Sequence, residues 1–291
     1  MTKIGKITFV HENGVDADTD ISVDALSRKH LYKTLSLLCA SRARIHTLPT
    51  LLLLEPKYEL IEKAGELWGW PLMIRMDYSI FPKQKPLGGI PVYTFEAANK
   101  VSAFLFSINC FPLFHKHADR FEDEYSVGVL IEPKSHIVQA EVVGKGFDAG
   151  DLRLGKSRPH EVFSLDMHES RIRQEASVDV DSYKIDADQR KTYACKLYRY
   201  TRFVNEHCQL LPELEGIEHF DTSDCKIDFS PPESYTPLKP SLKVSLLKTV
   251  EAVYYEVVNQ LPPSPVYVAS FSYLPAHGWL LWDIYGHWYK R

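Results

Sequence analysis

The sequence predicts an α+β fold, and three observations lead there. Residues 125–143 and 265–291 each read as two β-rich runs around a turn, whereas four other stretches repeat apolar residues at helical spacing. A chain of 291 residues can bury a sizeable core, as one large domain or two closely joined lobes. Its 25% charged and 45% hydrophobic residues match the make-up of a soluble globular protein.

Taken in order, Lys6 to Val10 is a short strand and Glu12 to Asp20 an acidic loop. Ser22 to Ala40 predicts a helix, with Leu26, Leu31, Leu35 and Leu38 on its apolar side and a start at Ser22 or Asp24. A second helix covers about Pro56 to Leu67 and is closed by Gly69. The strand Pro71 to Met76 leads through the loop Phe81 to Gly89 into the strand Ile90 to Tyr93, and Thr94 caps a third helix to Phe106. Tyr125–Glu132 and His136–Val143 form a hairpin about Pro133-Lys-Ser. Residues of about 162–240 are polar and end in a Pro-rich connector. A strong helix follows, with Ser241 as its cap and an apolar stripe of Leu242, Leu246, Val250, Val253, Val257 and Val258, before Pro262-Pro263 stops it. The last run returns from Val266–Tyr273 through the turn Pro275-Ala-His-Gly278 into Trp279–Tyr289.

Charge and cysteines narrow the class. A formal net charge of −4 gives no overall basic field to draw nucleic acid. Cys39, Cys110, Cys195, Cys208 and Cys225 are an odd set with no C-x-x-C pair, which fits reduced thiols in a cytoplasmic compartment better than a disulfide frame or zinc site. The N-terminus carries no signal-peptide core, and no stretch reaches membrane-spanning length.

Several segments have the residue types for ligand chemistry. Arg75 on a strand, Lys83 and Lys85 in the loop and then Gly88-Gly89 would bring ammonium groups and backbone N–H donors over phosphates, although neither familiar nucleotide loop motif is present. Between Val142 and Glu161, four glycines alternate with charges, and Arg153 and Arg158 could each grip a carboxylate or phosphate with a planar fork. A solvated meander of ion pairs is the plainer reading of that stretch. In the last strand, alternation points Asp283, Tyr285 and His287 one way and Trp282, Ile284 and Trp288 the other, so the first row could hold a metal. His115-Lys-His117 lacks a third ligand and reads as surface. No G-x-S-x-G elbow and no cysteine with an adjacent base supports covalent hydrolase chemistry.

In their order, these pieces resemble a divergent ATP-grasp domain, the fold of ATP-dependent carboxylate–amine ligases. The resemblance covers about Lys29–Glu161 and Leu242–Tyr289. It rests on Leu48-Pro-Thr50, Gly69-Trp-Pro-Leu-Met-Ile-Arg75, Gly88-Gly89 before Val92-Tyr-Thr-Phe-Glu-Ala, Val129-Leu-Ile-Glu132, and Leu-Leu-Trp-Asp283-Ile-Tyr. It implies two α+β lobes with ATP between them: residues 1–50 as a short strand–helix segment, 51–128 as the first lobe, and 129–291 as the second with an insertion at about 162–240. It places Lys33 and Arg75 on the phosphates, Val129–Glu132 at a hinge with Glu132 near the ribose, and Asp283 on Mg²⁺. The family's asparagine two residues after that acid is here Tyr285, the preceding strand offers Ser270 and Ser272 in place of an acid, and His287 is the compensating candidate.

The expected activity joins a small-molecule or peptide carboxylate to an amine through an acyl phosphate, using ATP and Mg²⁺. Lys83, Lys85, Gly88 and Gly89 would hold phosphates, and Arg153 or Arg158 the carboxylate or acyl phosphate. A nucleotide-binding or interaction protein that kept the fold and lost the chemistry is the alternative.

Overall fold

A computed structural model of the chain describes residues 7–9, 23–77, 90–116, 125–144, 159–173, 236–275 and 277–286. Helices and antiparallel sheets make it α+β, and the chain divides into two compact units. The described part of unit one comprises residues up to 35 and 48–116; that of unit two comprises 36–47, 125–144, 159–173 and 236–286. Among the described residues no helix is long and apolar enough to cross a membrane.

Unit one holds β1 (Ile7–Phe9), α1 (Val23–Arg28), β2 (Thr50–Leu52), α3 (Glu59–Trp68), β3 (Leu72–Asp77), β4 (Ile90–Val92), α4 (Phe95–Ser107) and β5 (Phe111–Lys116). Its five strands run antiparallel in the order β1-β2-β5-β3-β4. Leu52, Leu72, Ile74, Leu113 and Phe114 from the sheet, and Ile61, Val101 and Leu105 from α3 and α4, are almost completely buried. Burial of such side chains stabilises a fold by roughly 1.5–3 kcal/mol each before the entropy cost. Thr94 caps α4 as expected, its Oγ1 accepting from the Ala97 N–H at 3.2 Å.

The helix expected over 22–40 is two helices. α1 ends in a bend at His30, whose φ of 56° takes the left-handed conformation, and α2 (Tyr32–Arg42) begins just beyond. Leu31 N–H donates to Leu26 O and His30 N–H to Ser27 O, the paired bonds that close a helix when its terminal residue turns left-handed. From Thr34 to Ala40 every residue of α2 is buried.

Unit two holds β6 (Tyr125–Ile131), β7 (Ile137–Gly144), β8 (Glu161–Asp166), β9 (Arg171–Arg173), α5 (Pro240–Ala252), β10 (Tyr267–Leu274) and β11 (Gly278–Gly286). The sheet is antiparallel throughout, in the order β11-β10-β6-β7-β8-β9. One face carries Val127, Val129, Ala140, Val142, Phe163, Leu165, Ala269, Phe271 and Ile284, all buried. α5 lies against this face: the Lys243 ammonium is 4.9 Å from the Phe163 ring centre, and Trp279 Nε1 donates to Ser245 Oγ at 3.0 Å. The helix starts two residues earlier than expected, with Lys239 in place of Ser241 as its cap position and Pro240 as its first residue, because proline's fixed φ suits that position. After Ala252 it widens into a π turn, Val253–Val257, and tightens into a 3₁₀ turn, Val258–Gln260.

Strands β8 and β9 lie inside what the sequence suggested was a polar insertion from about 162. Glu161–Asp166 pairs along β7 from Val142↔Glu161 to Ile137↔Asp166, so the sheet continues to residue 173.

Candidate functional site

In unit one, two of the expected phosphate residues, Lys33 and Arg75, lie at the end of β3. Alternation along β3 puts Arg75 and Asp77 on one face of the sheet, with Ile74 and Met76 on the other. Lys33, at the start of α2, donates from Nζ to the carbonyl of Met76 at 3.2 Å, across a separation of 43 positions. Arg75 is 9% exposed, so its guanidinium is largely withdrawn from water.

The neighbouring carboxylate explains why Lys33 sits there. Asp77, 1% exposed, accepts from the Thr34 backbone N–H at 2.7 Å and from Thr34 Oγ1 at 2.6 Å. It is a cap supplied in trans: the first-turn N–H groups of α2 lack partners within the helix, and the carboxylate also meets the positive end of the helix dipole. Docking α2 on Asp77 fixes the adjacent Lys33 against the strand end. Sequence reasoning missed Asp77, whose partner Thr34 lies 43 positions away. Nearby, burial pushes the Cys110 thiol up to about 11, with the Asp77 charge adding to the effect. His115, half of the dismissed His-x-His pair, is buried: Nδ1 lies 2.8 Å from Thr50 Oγ1, whose proton goes to the Leu48 carbonyl, so His115 donates.

In unit two, the second face of the sheet carries a polar row. The registers Asp283↔Ser270, Ser270↔Gly128 and Gly128↔Glu141 line these four residues up across β11, β10, β6 and β7. Gly128 leaves room between the hydroxyl and Glu141. Asp283 is fully buried and Ser270 3% exposed, and Ser270 Oγ has no hydrogen-bond partner. One step along, Ser272 and Ser126 are opposite each other with hydroxyls 3.2 Å apart.

The simple alternation expected for the last strand fails at Trp282. The register jumps from Ser270↔Asp283 to Phe271↔Leu281, leaving Trp282 as the extra residue of a bulge. Its Nε1 donates to Ser272 Oγ at 2.8 Å, so the indole joins the hydroxyl face and not the face of Ile284. The tandem serines were visible in the sequence; the bulge that turns Trp282 onto them was not.

Magnesium binds near-octahedral oxygen sites built from carboxylates, water and phosphate oxygens. Around Asp283 the described residues offer the Ser270 hydroxyl across the ladder and Tyr285 two positions on, and no group of three His, Cys, Asp or Glu side chains suited to a metal occurs among the described residues. These residues alone do not make up a magnesium site. His287 lies outside the described residues, as do Lys83, Lys85, Gly88, Gly89, Arg153 and Arg158.

Glu132, expected near a ribose at a hinge, is exposed at the end of β6 inside unit two, where its carbonyl accepts from Ser135 N–H at 2.9 Å in the β6–β7 turn. The described end of the charged glycine stretch is structural. Gly144 N–H donates to His160 Nδ1 at 2.9 Å, and burial holds that imidazole below its ordinary value. Glu161 pairs with Lys243 and accepts from Leu238 N–H at 3.0 Å, tying the start of α5 to β8.

The chain matches no family model and no curated protein sequence. Among solved structures it is similar to the D-alanine–D-alanine ligase of Helicobacter pylori, at 12% identity over 90% of this chain and 54% of that one, with a TM-score of 0.41. The carboxyaminoimidazole ribonucleotide synthase of Aspergillus clavatus complexed with ATP gives 14% identity, 91% and 50% coverage, and a TM-score of 0.39. The D-alanine–D-alanine ligase of Bacillus anthracis complexed with ATP gives 11%, 91% and 57%, and 0.42. The chain thus spans about half the length of these proteins, and the likeness is too distant to transfer a residue role.

Proposed function

We propose that the chain binds ATP in the manner of an ATP-grasp protein and serves as an ATP-dependent ligase, joining a small-molecule or peptide carboxylate to an amine. The observation that carries this reading is the bond from Lys33 Nζ to the Met76 carbonyl, next in sequence to Arg75, because it brings a cation from a distant part of the sequence to the strand end where the resemblance wants phosphate ligands. In the proposed reaction a carboxylate oxygen attacks the γ-phosphorus and ADP leaves. The amine nitrogen then attacks the acyl carbon and loses a proton as phosphate departs. Arg75, a rigid planar donor, and Lys33, a compact ammonium, would offset the charge that builds on the transferred phosphoryl group. Lys83, Lys85, Gly88 and Gly89 are proposed to wrap the phosphates, Glu132 to lie near the ribose, and Arg153 or Arg158 to hold the acyl phosphate. Asp283 and His287 are the positions proposed for Mg²⁺.

A second reading, a nucleotide-binding protein without phosphoryl transfer, is favoured by one observation: the residue facing Asp283 across the ladder is Ser270 and not an acid. Calorimetric titration with ATP, with and without Mg²⁺, tests both. Arg75→Lys and Lys33→Ala should each weaken ATP binding about tenfold, equivalent to roughly 1.4 kcal/mol. Unchanged affinity in both variants would remove the β3 end from the site. ADP release on adding carboxylate and amine mixtures decides for the ligase; tight binding that is indifferent to Mg²⁺, with no ADP formed, decides for the second reading.

A further inference from the structure

We propose that His136 and His168 form a binding site for a divalent transition-metal ion of the zinc, copper or nickel class on the surface of unit two. The two side chains come from separate turns, β6–β7 and β8–β9, and both are exposed. Their ring centres lie 5.6 Å apart, with the planes tilted by 56°. With metal–nitrogen bonds of ~2.0–2.1 Å and about 1.1 Å from ring centre to nitrogen, two imidazoles on one ion have centres about 5.2 Å apart at a tetrahedral angle and about 6.4 Å at a linear one. The observed separation falls between these limits, and among the described residues neither ring makes a hydrogen bond that would occupy a nitrogen.

The backbone under both histidines is held in place. Met167 N–H donates to the His136 carbonyl at 2.7 Å, and His168 N–H donates to Asp166 Oδ1 at 3.1 Å. From the π turn, two consecutive tyrosines reach over: Tyr254 OH donates to Ser135 O at 3.0 Å and Tyr255 OH to Met167 O at 2.7 Å. The residue before each histidine is thereby fixed, so a metal would order little beyond two ring torsions. Imidazole nitrogen selects d-block ions over Mg²⁺ or Ca²⁺, which prefer oxygen, and water would complete the coordination. A bound ion would cross-link the two turns. The other facing pair, His46 and His277, has ring centres 5.8 Å apart, but His46 Nδ1 is already engaged by the His277 carbonyl at 3.2 Å.

The test is calorimetric titration of the tag-free full chain with Zn²⁺, repeated with Cu²⁺ while following its electron paramagnetic resonance spectrum. We expect one ion per chain, with nitrogen coupling from two imidazoles, and at least a tenfold loss of affinity in His136→Ala and again in His168→Ala. Because both side chains are exposed, these variants should melt close to wild type. His46→Ala should bind as wild type does. Zn²⁺ binding that survives in both His136→Ala and His168→Ala, or that is lost only with His46→Ala, would overturn the assignment.

Discussion

Asp77 shows how much one buried carboxylate can organise. It accepts two hydrogen bonds from Thr34 and is 1% exposed, so its removal strands a helix-terminal N–H and a hydroxyl without a partner. Hydrogen bonds to charged groups contribute about 1.5–3 kcal/mol, and a neutral one about 1 kcal/mol. Asp77→Ala is therefore expected to lower unfolding stability by roughly 3–6 kcal/mol, and Thr34→Val, which keeps the backbone bond, by roughly 1.5–3 kcal/mol. Urea unfolding of the two variants measures this, and an Asp77→Ala protein as stable as wild type would show that the cap is incidental. Arg75 stood out from the strand and loop pattern around it, whereas Lys33 was reached only through the family resemblance. Asp77 was not legible, because its partner lies 43 positions away and no local pattern records such a distance.

At the scale of elements, legibility followed the strength of local signals. The β6–β7 and β10–β11 hairpins, α3 with Gly69 behind it, and α4 with its Thr94 cap were all readable, since each has punctuation of its own. The break between α1 and α2 was not: its left-handed terminal residue is His30 where glycine is usual, and Arg44 and Asn109 close α2 and α4 in the same way. Strand β5 was hidden by Pro112, a residue that normally argues against an interior strand. Helix α3 carries a sharper prediction. Gly65 sits beneath the Trp70 indole, and a Cβ there would lie 2.4 Å from Trp70 Cε2 and 2.5 Å from Cζ2. Helix propensity alone would make Gly65→Ala stabilising by about 1 kcal/mol. The clash displaces a whole indole, and overpacking typically costs 1–3 kcal/mol, so the variant is expected to be less stable than wild type. In a Trp70→Ala background the same change should become stabilising by up to about 1 kcal/mol. A Gly65→Ala substitution that stabilises both backgrounds equally would mean that the indole leaves at no cost.

Across the whole molecule, the shifted groups sort by pH and act in the same sense at each end. In acid, the Asp166 carboxyl is held below its ordinary 3.8 by the Glu169 N–H above all, and then by the Arg173 guanidinium and the His168 N–H. Burial holds His160 below 6.5. Both groups bind protons more weakly folded than unfolded, so their contributions are complete above 6.5 and 3.8 respectively and are lost as pH falls through the lowered folded values. In alkali, burial raises the Cys39 and Cys110 thiols from 9.0 to about 11, and raises Tyr32, Tyr254 and Tyr267 above 10.0. These acids bind protons more tightly folded than unfolded, so their contributions are complete below 9.0 and are lost as pH rises towards about 11. The expected profile is a plateau between 6.5 and 9.0 that falls on both sides. Urea midpoints taken at constant ionic strength from about pH 4 to about pH 10 would trace it. His160→Gln should flatten the first acid step just below 6.5 and leave the alkaline limb in place, because glutamine does not titrate. A midpoint that climbs on acidification from 6.5, or that keeps rising above 9.0, would mean that groups other than these govern the balance.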